Sequence, residues 1–176
     1  MRHLSIQRLW WLLVLVLALA GAQAALADDH KHKKKKGQAA PAAQNQVYAQ
    51  ACGQCHMVYH PGLLPAASWG KLLEDRRGHF GNDLSLSEGE RKEIQGFLEA
   101  NAADRFRDKR SRKIMASLGG AAPLRPSQIP YLLKKHHDIA EEVFARPAVG
   151  GRGNCLACHP GAVQGGYEDD NARIPR

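Results

Sequence analysis

The sequence predicts a small, mainly α-helical domain with few or no strands, and three observations lead there. Several stretches carry apolar residues at the three-and-four spacing of a helix, behind recognisable start signals. A length of 176 residues fits one domain rather than several. Beyond residue 27 the chain is polar and holds one Trp with four Phe and four Tyr, so something besides side chains must help to fill the core. The same composition argues against a large enzyme with its own substrate domain and against a multi-span membrane protein. Four Cys are also too few for a disulfide-dense miniature scaffold.

The first 27 residues read as a signal peptide. Arg2 and Arg8 precede an unbroken apolar run from Leu12 to Leu19, and Ala25-Leu26-Ala27 supplies the small-x-small pattern that signal peptidase reads. The strongly apolar part, Leu9 to Ala20, falls short of the ~20 residues a membrane span needs. Cleavage after Ala27 is therefore expected, with a periplasmic mature chain of formal charge +6. Residues 28–46, DDHKHKKKKGQAAPAAQNQ, have no apolar periodicity and read as a disordered basic tail, chiefly a solvated arm and a possible peripheral contact for an anionic membrane. The folded domain is expected over residues 47–176.

Its elements follow in order. Asn45 to Ala51 is polar and helix-like. A helix starts near Pro65, shows Trp69, Leu72 and Leu73 on one face, and ends by Gly78-His79-Phe80-Gly81. Ser87-Glu88-Gly89-Glu90 is a capping box, followed by Ile94, Phe97 and Leu98 as a buried face and Asn101 as a stop. Asp104 to Leu118 is a weaker helix bearing Arg105, Arg107, Lys109, Arg110, Arg112 and Lys113, which reads as a solvated face or as a surface that steers an acidic partner. Pro130 to Phe144 is a helix with Pro in its first turn, and residues 119–127 and 145–153 are Gly- and Pro-rich connectors with nothing catalytic in them.

Every cysteine falls in one of two motifs, Cys52-Gly53-Gln54-Cys55-His56 and Cys155-Leu156-Ala157-Cys158-His159. A C-x-x-C pair with His directly behind is the attachment site of c-type haem: two thiols add across the porphyrin's two vinyl groups, and the imidazole reaches the iron. With 9 His among 176 residues, a His behind one given pair arises by chance roughly 1 time in 20, and behind both roughly 1 in 400. Zinc sites of this type usually place their halves some 15–20 residues apart, whereas Cys55 and Cys155 are 100 apart. A thioredoxin-like pair would follow a buried strand, which the polar run before Cys52 is not. Two disulfides would leave both histidines without a reason. Two covalent haem c groups are therefore expected, on Cys52 and Cys55 and on Cys155 and Cys158, with His56 and His159 on the irons.

Each iron keeps one further axial position, which sets its potential and its access to small molecules. Met57 directly follows His56 and cannot swing to the opposite ring face, and Met115, at helical spacing from Leu118, reads as core. His60, beside a Pro61-Gly62 turn, reads as surface. His79 is flanked by glycines and can approach a flat ring closely. His136 has Leu132, Leu133, Ile139, Ala140 and Val143 at helical spacing and points inward, while His137 shares its face with Lys134 and Glu141. A lone inward His is ordinarily a core residue satisfied by a backbone carbonyl. Two irons in need of partners shift the reading to ligation by His79 and His136.

Tyr48 before the first motif, the run Tyr59 to Trp69, His79-Phe80-Gly81, Leu98 with Asn101-Ala102-Ala103-Asp104, and Asn154 before the second motif together resemble the bacterial dihaem cytochrome c family over about residues 47–176. The resemblance implies a small periplasmic electron carrier with two bis-histidine haems, the positions of His79 and His136 serving as distal ligands. It leaves open which of them serves which haem. It also implies redox protein partners, among them a membrane cytochrome b or a soluble haem protein. A body of roughly 130 residues has a radius of gyration near 14 Å, so two porphyrins in it lie close enough to exchange electrons. Filled axial positions leave no place for oxygen or peroxide, and the expected role is electron transfer without catalysis and without nucleic acid. The alternative is a small dihaem peroxidase or gas-binding protein with one dissociable distal His.

Overall fold

The computed structural model describes residues 44–75 and 78–176. The expected signal peptide and nearly all of the expected tail lie outside the described residues. The last tail residues do not behave as tail: Asn45 caps the first helix, its side chain accepting from Tyr48 N–H at 2.7 Å, and Gln46 opens it. The described residues form helices and 3-10 turns with no strand among them; the single isolated bridge joins His79 and Asn82. Among the described residues no helix is long and apolar enough to cross a membrane.

Among the described residues six helices follow one another: α1 (Gln46–Cys52), α2 (Ala66–Glu74), α3 (Glu88–Ala100), α4 (Lys109–Leu118), α5 (Pro130–Lys135) and α6 (Glu141–Phe144). α2 lies against α3, and α4 against α5. α2 opens on Pro65 without a side-chain cap of its own; instead the Asp104 carboxylate, 38 residues on, accepts from Ala66 N–H at 2.8 Å. Trp69 and Leu73 go into the core, and the Trp69 indole N–H donates to Pro61 O at 2.9 Å. α3 carries the capping box foreseen from Ser87 and Glu90, and buries Ile94 and Leu98. Around these helices one cluster gathers Tyr48, Leu64, Ile114 and Ile129, all nearly inaccessible to water.

Two expected helices are shorter than foreseen. The chain from Asp104 to Leu118 makes a 3-10 turn (Ala103–Arg105), runs extended through Phe106, and starts again at Asp108, whose carboxylate accepts from Arg110 and Ser111 N–H at 3.0 and 3.1 Å. That local cap outcompetes continuation from Asp104. α4 ends at Gly119 in the left-handed conformation, φ 56°. The helix expected from Pro130 to Phe144 stops after one and a half turns at Lys135 and resumes only at Glu141. At the break the imidazoles of His136 and His137 bond the carbonyls of Leu132 and Lys134 at 2.8 and 2.9 Å, so side chains use acceptors at the helix end.

Candidate functional site

The first motif sits at the end of α1. Cys52 is the last helical residue, half-buried against the core, and the chain then turns so that Cys55 and His56 face outward. Gly53 is needed for that turn, because a Cβ there would meet Ala49 O at 2.5 Å. The His56 Nδ1 lies 2.6 Å from Met57 O. A carbonyl can only accept, so Nδ1 carries the proton and Nε2 keeps its lone pair for a metal. His79 arrives from the loop after α2, in a tight reversal where Phe80 takes φ 51°, the only positive φ among the described non-glycine residues, and Gly81 takes 90°. The Arg125 guanidinium lies 3.8 Å from the Phe80 ring centre and holds that reversal from outside. The imidazoles of His56 and His79 come together with ring centres 6.3 Å apart and planes at 29°.

The second motif is a 3-10 turn, Cys155–Ala157, closed by His159 N–H on Cys155 O at 2.8 Å and bound from the carboxyl end by Arg173 N–H on Cys158 O at 2.8 Å. His136 caps the end of α5, and its bond to Leu132 O again leaves Nε2 free. His136 and His159 stand 6.1 Å apart, centre to centre, with planes at 86°. His137 is exposed and turned to Lys134 O. Beside His136 lies Phe144, capped at 4.0 Å by Arg152, whose guanidinium binds the Glu141 carboxylate through Nε and a terminal nitrogen at 2.9 and 2.6 Å.

Electrostatics favour neutral donors at both places. Burial, then the neighbouring His56, then Arg125 lower the pKa of His79, with Asp75 opposing; burial, then His136, lower that of His159, with Asp169 and Glu168 opposing. A neutral imidazole is the form that ligates metal. No disulfide joins the four cysteines. Burial pushes the Cys52 and Cys155 thiols up to about 11, and that of Cys158 upward as well, the opposite of the lowered pKa that activates a redox pair.

The two motifs are also bound to each other. The Tyr59 hydroxyl donates to Gly153 O at 2.8 Å, and the Met57 sulfur accepts from Leu156 N–H at 3.3 Å. Tyr48 in turn donates from its hydroxyl to Tyr59 O at 2.8 Å. Sequence reasoning gave no role to the contacts of Tyr59, Arg125 and Phe144; the Tyr59–Gly153 bond spans 94 residues, and nothing in the spacing marks it. It also misplaced His60, which does occupy the Pro61–Leu63 turn but is 8% exposed: its Nδ1 accepts from Gly62 N–H at 3.2 Å, folding the ring inward against Gly165, where a Cβ would come within 2.8 Å. Arg110 likewise leaves the expected solvated face to donate to Gly165 O at 2.8 Å and to lie 4.8 Å from the Tyr167 ring centre.

These residues fit haem on three counts. Each site offers two thiols and two facing imidazoles. Among the described residues no three His, Cys, Asp or Glu side chains gather as a protein-only metal site requires, whereas a porphyrin supplies its own four nitrogens and needs just two axial donors. Imidazoles bound on opposite sides of one metal at about 2.0 Å would have centres about 6.3 Å apart, close to both observed separations.

A family model described as Dihaem cytochrome c matches residues 48–167, both motifs and both facing histidines included. The chain belongs to the dihaem cytochrome c family. It therefore carries two covalently bound haem c groups with their irons, and its chemistry is haem-based electron transfer. The diheme cytochrome c from Rhodobacter sphaeroides is 35% identical, with a TM-score of 0.64 over 73% of this chain and 100% of that one. The diheme cytochrome from Shewanella baltica is 28% identical, with a TM-score of 0.62 over 75% of this chain and 94% of that one. No curated protein sequence matches this dihaem cytochrome c.

Proposed function

We propose that this dihaem cytochrome c is a periplasmic carrier of single electrons whose haems are both bis-histidine and low-spin. Cys52 and Cys55 hold one and Cys155 and Cys158 the other; His56 with His79, and His159 with His136, are the axial pairs. The observation that carries this reading is the pairing itself: the four candidate imidazoles stand as two couples, 6.3 and 6.1 Å apart, each joining a motif histidine to a distal one. Haem, when bound, supplies the one-electron chemistry. The protein fixes the tautomer of His56 and His136 through backbone carbonyls, closes the position oxygen or peroxide would take, and brings the two attachment segments into contact.

No bond-making step on the protein is part of this role. The exposed basic side chains Arg105, Arg107, Lys109, Arg112 and Lys113 suit encounter with acidic redox proteins, a membrane cytochrome b or a soluble haem protein among them, and the Lys-rich tail suits a peripheral membrane contact. Absorption and EPR spectra of the purified protein test the ligand set. Two low-spin ferric haems and no carbon monoxide adduct after reduction are expected; a high-spin or carbon monoxide-binding haem would favour the peroxidase or gas-binding alternative.

A further inference from the structure

Tyr59 touches both haem sites. Its ring lies 5.2 Å from that of His56, centre to centre, on the first site. Its hydroxyl is bonded to Gly153 O, the carbonyl that also accepts from Cys155 N–H at 3.1 Å, at the entry to the second motif. The Tyr48 hydroxyl bonds the backbone carbonyl of Tyr59 and leaves its side chain untouched. Met57, two residues earlier, adds a weaker bond to the peptide between the two cysteines of the second motif. A half-buried ring bonded at its far end through its hydroxyl is a spacer, and this one links the second attachment turn to the first axial imidazole.

We infer that Tyr59 is a positioning residue that sets the coupling between the two haems, a role no ligand assignment contains. The inference rests on the proposed ligand pairs. The electron lost by one iron is the electron gained by the other, with no bond formed or broken and no proton moved, so the step depends on how closely and in what orientation the two haems are held. The Tyr59–Gly153 bond of 2.8 Å, beside the Met57–Leu156 contact at 3.3 Å, ties together the two segments that would hold them. That contact also passes the charge change of one site to the peptide of the other, which makes the second reduction sense the first.

The test uses the intact dihaem protein. Tyr59→Phe removes one oxygen and keeps the ring. Haem content and spin state should stay unchanged, while the gap between the two reduction potentials shifts in a spectroelectrochemical titration and electron exchange after flash photoreduction slows several-fold. Tyr48→Phe is the companion: it deletes a hydroxyl with a bond of the same length on the first-site side only, and should lower the melting temperature without moving gap or rate. Gly153→Ala presses on the same contact from the other end, because its Cβ would meet the Tyr59 oxygen at 2.9 Å, and should change the gap even if Tyr59→Phe folds poorly. A wild-type gap and rate in Tyr59→Phe or in Gly153→Ala, or equal changes in Tyr59→Phe and Tyr48→Phe, would overturn the inference. A high-spin iron in the unaltered protein would overturn the ligand reading, and this inference with it.

Discussion

At the first site the thiols precede the distal imidazole in the chain, in the order Cys52, Cys55, His56, His79. At the second the imidazole comes first, in the order His136, Cys155, Cys158, His159. In each site it is the earlier histidine that a backbone carbonyl anchors: the motif histidine at the first, through Met57 O, and the distal one at the second, through Leu132 O. The later histidine has a buried Nδ1 without a partner. Ring planes meet at 29° in one pair and 86° in the other. Arg125 stands by the first pair with Asp75 opposing its effect on His79, whereas Arg152 by the second is neutralised by Glu141, with Glu168 and Asp169 near His159. On the proposed pairing, one donor set is built twice with reversed connectivity, and the two irons need not behave alike.

Removing thiols should produce the largest contrast. Cys52→Ala with Cys55→Ala, and Cys155→Ala with Cys158→Ala, should each leave one covalent haem by mass and pyridine haemochrome. The first pair should cost more melting temperature, because Cys52 packs on the main core cluster. Next come the distal ligands. His79→Ala and His136→Ala should each turn one haem high-spin and open to carbon monoxide while both thioether-linked haems remain; His137→Ala should leave both low-spin. Two unaltered low-spin centres in His79→Ala would break the pairing.

Without any substitution, the two angles should give two different ferric EPR signals, a rhombic one from the near-coplanar pair and a strongly anisotropic one from the near-perpendicular pair; a single signal type would remove that difference. Charge effects should be smaller. Arg125→Gln takes a cation from the first site and should lower its reduction potential. Removing Arg152 and Glu141 together as Gln should hardly move the second, since a neutral pair is exchanged for a neutral pair. Smallest for the sites is Asp108→Ala, which should cost about 1 kcal/mol of stability through the lost cap and leave both haem spectra unchanged. Burial works to raise the Asp108 pKa, but bonds from Ser111 and Arg110 outweigh it and leave it lowered. Its contribution is therefore complete above the ordinary carboxylate range and disappears as pH falls through the lowered value.

Local chemistry was legible in the sequence and long-range contact was not. The attachment motifs, the Ser87–Glu90 box and the start of α2 before Trp69 are each written within a few residues, and the structure has all three. The inward reading of His136 assumed a continuous helix. The helix breaks at that residue, yet the ring still meets His159, because the end of α5 aims it there. Periodicity left open which candidate histidine stands by which motif; tertiary packing puts His79 beside His56 and His136 beside His159. The Tyr59–Gly153 bond spans 94 residues, and the inward fold of His60 depends on Gly165 lying over it; no short-range pattern encodes either.

Reversed connectivity also bears on the order of assembly. A polypeptide emerges from the ribosome amino end first, so all four donors of the first site, residues 52–79, are out before the earliest donor of the second, His136. Under the proposed pairing, the second site's distal imidazole is thus made before the thiols that would hold its porphyrin, and the first site's after them.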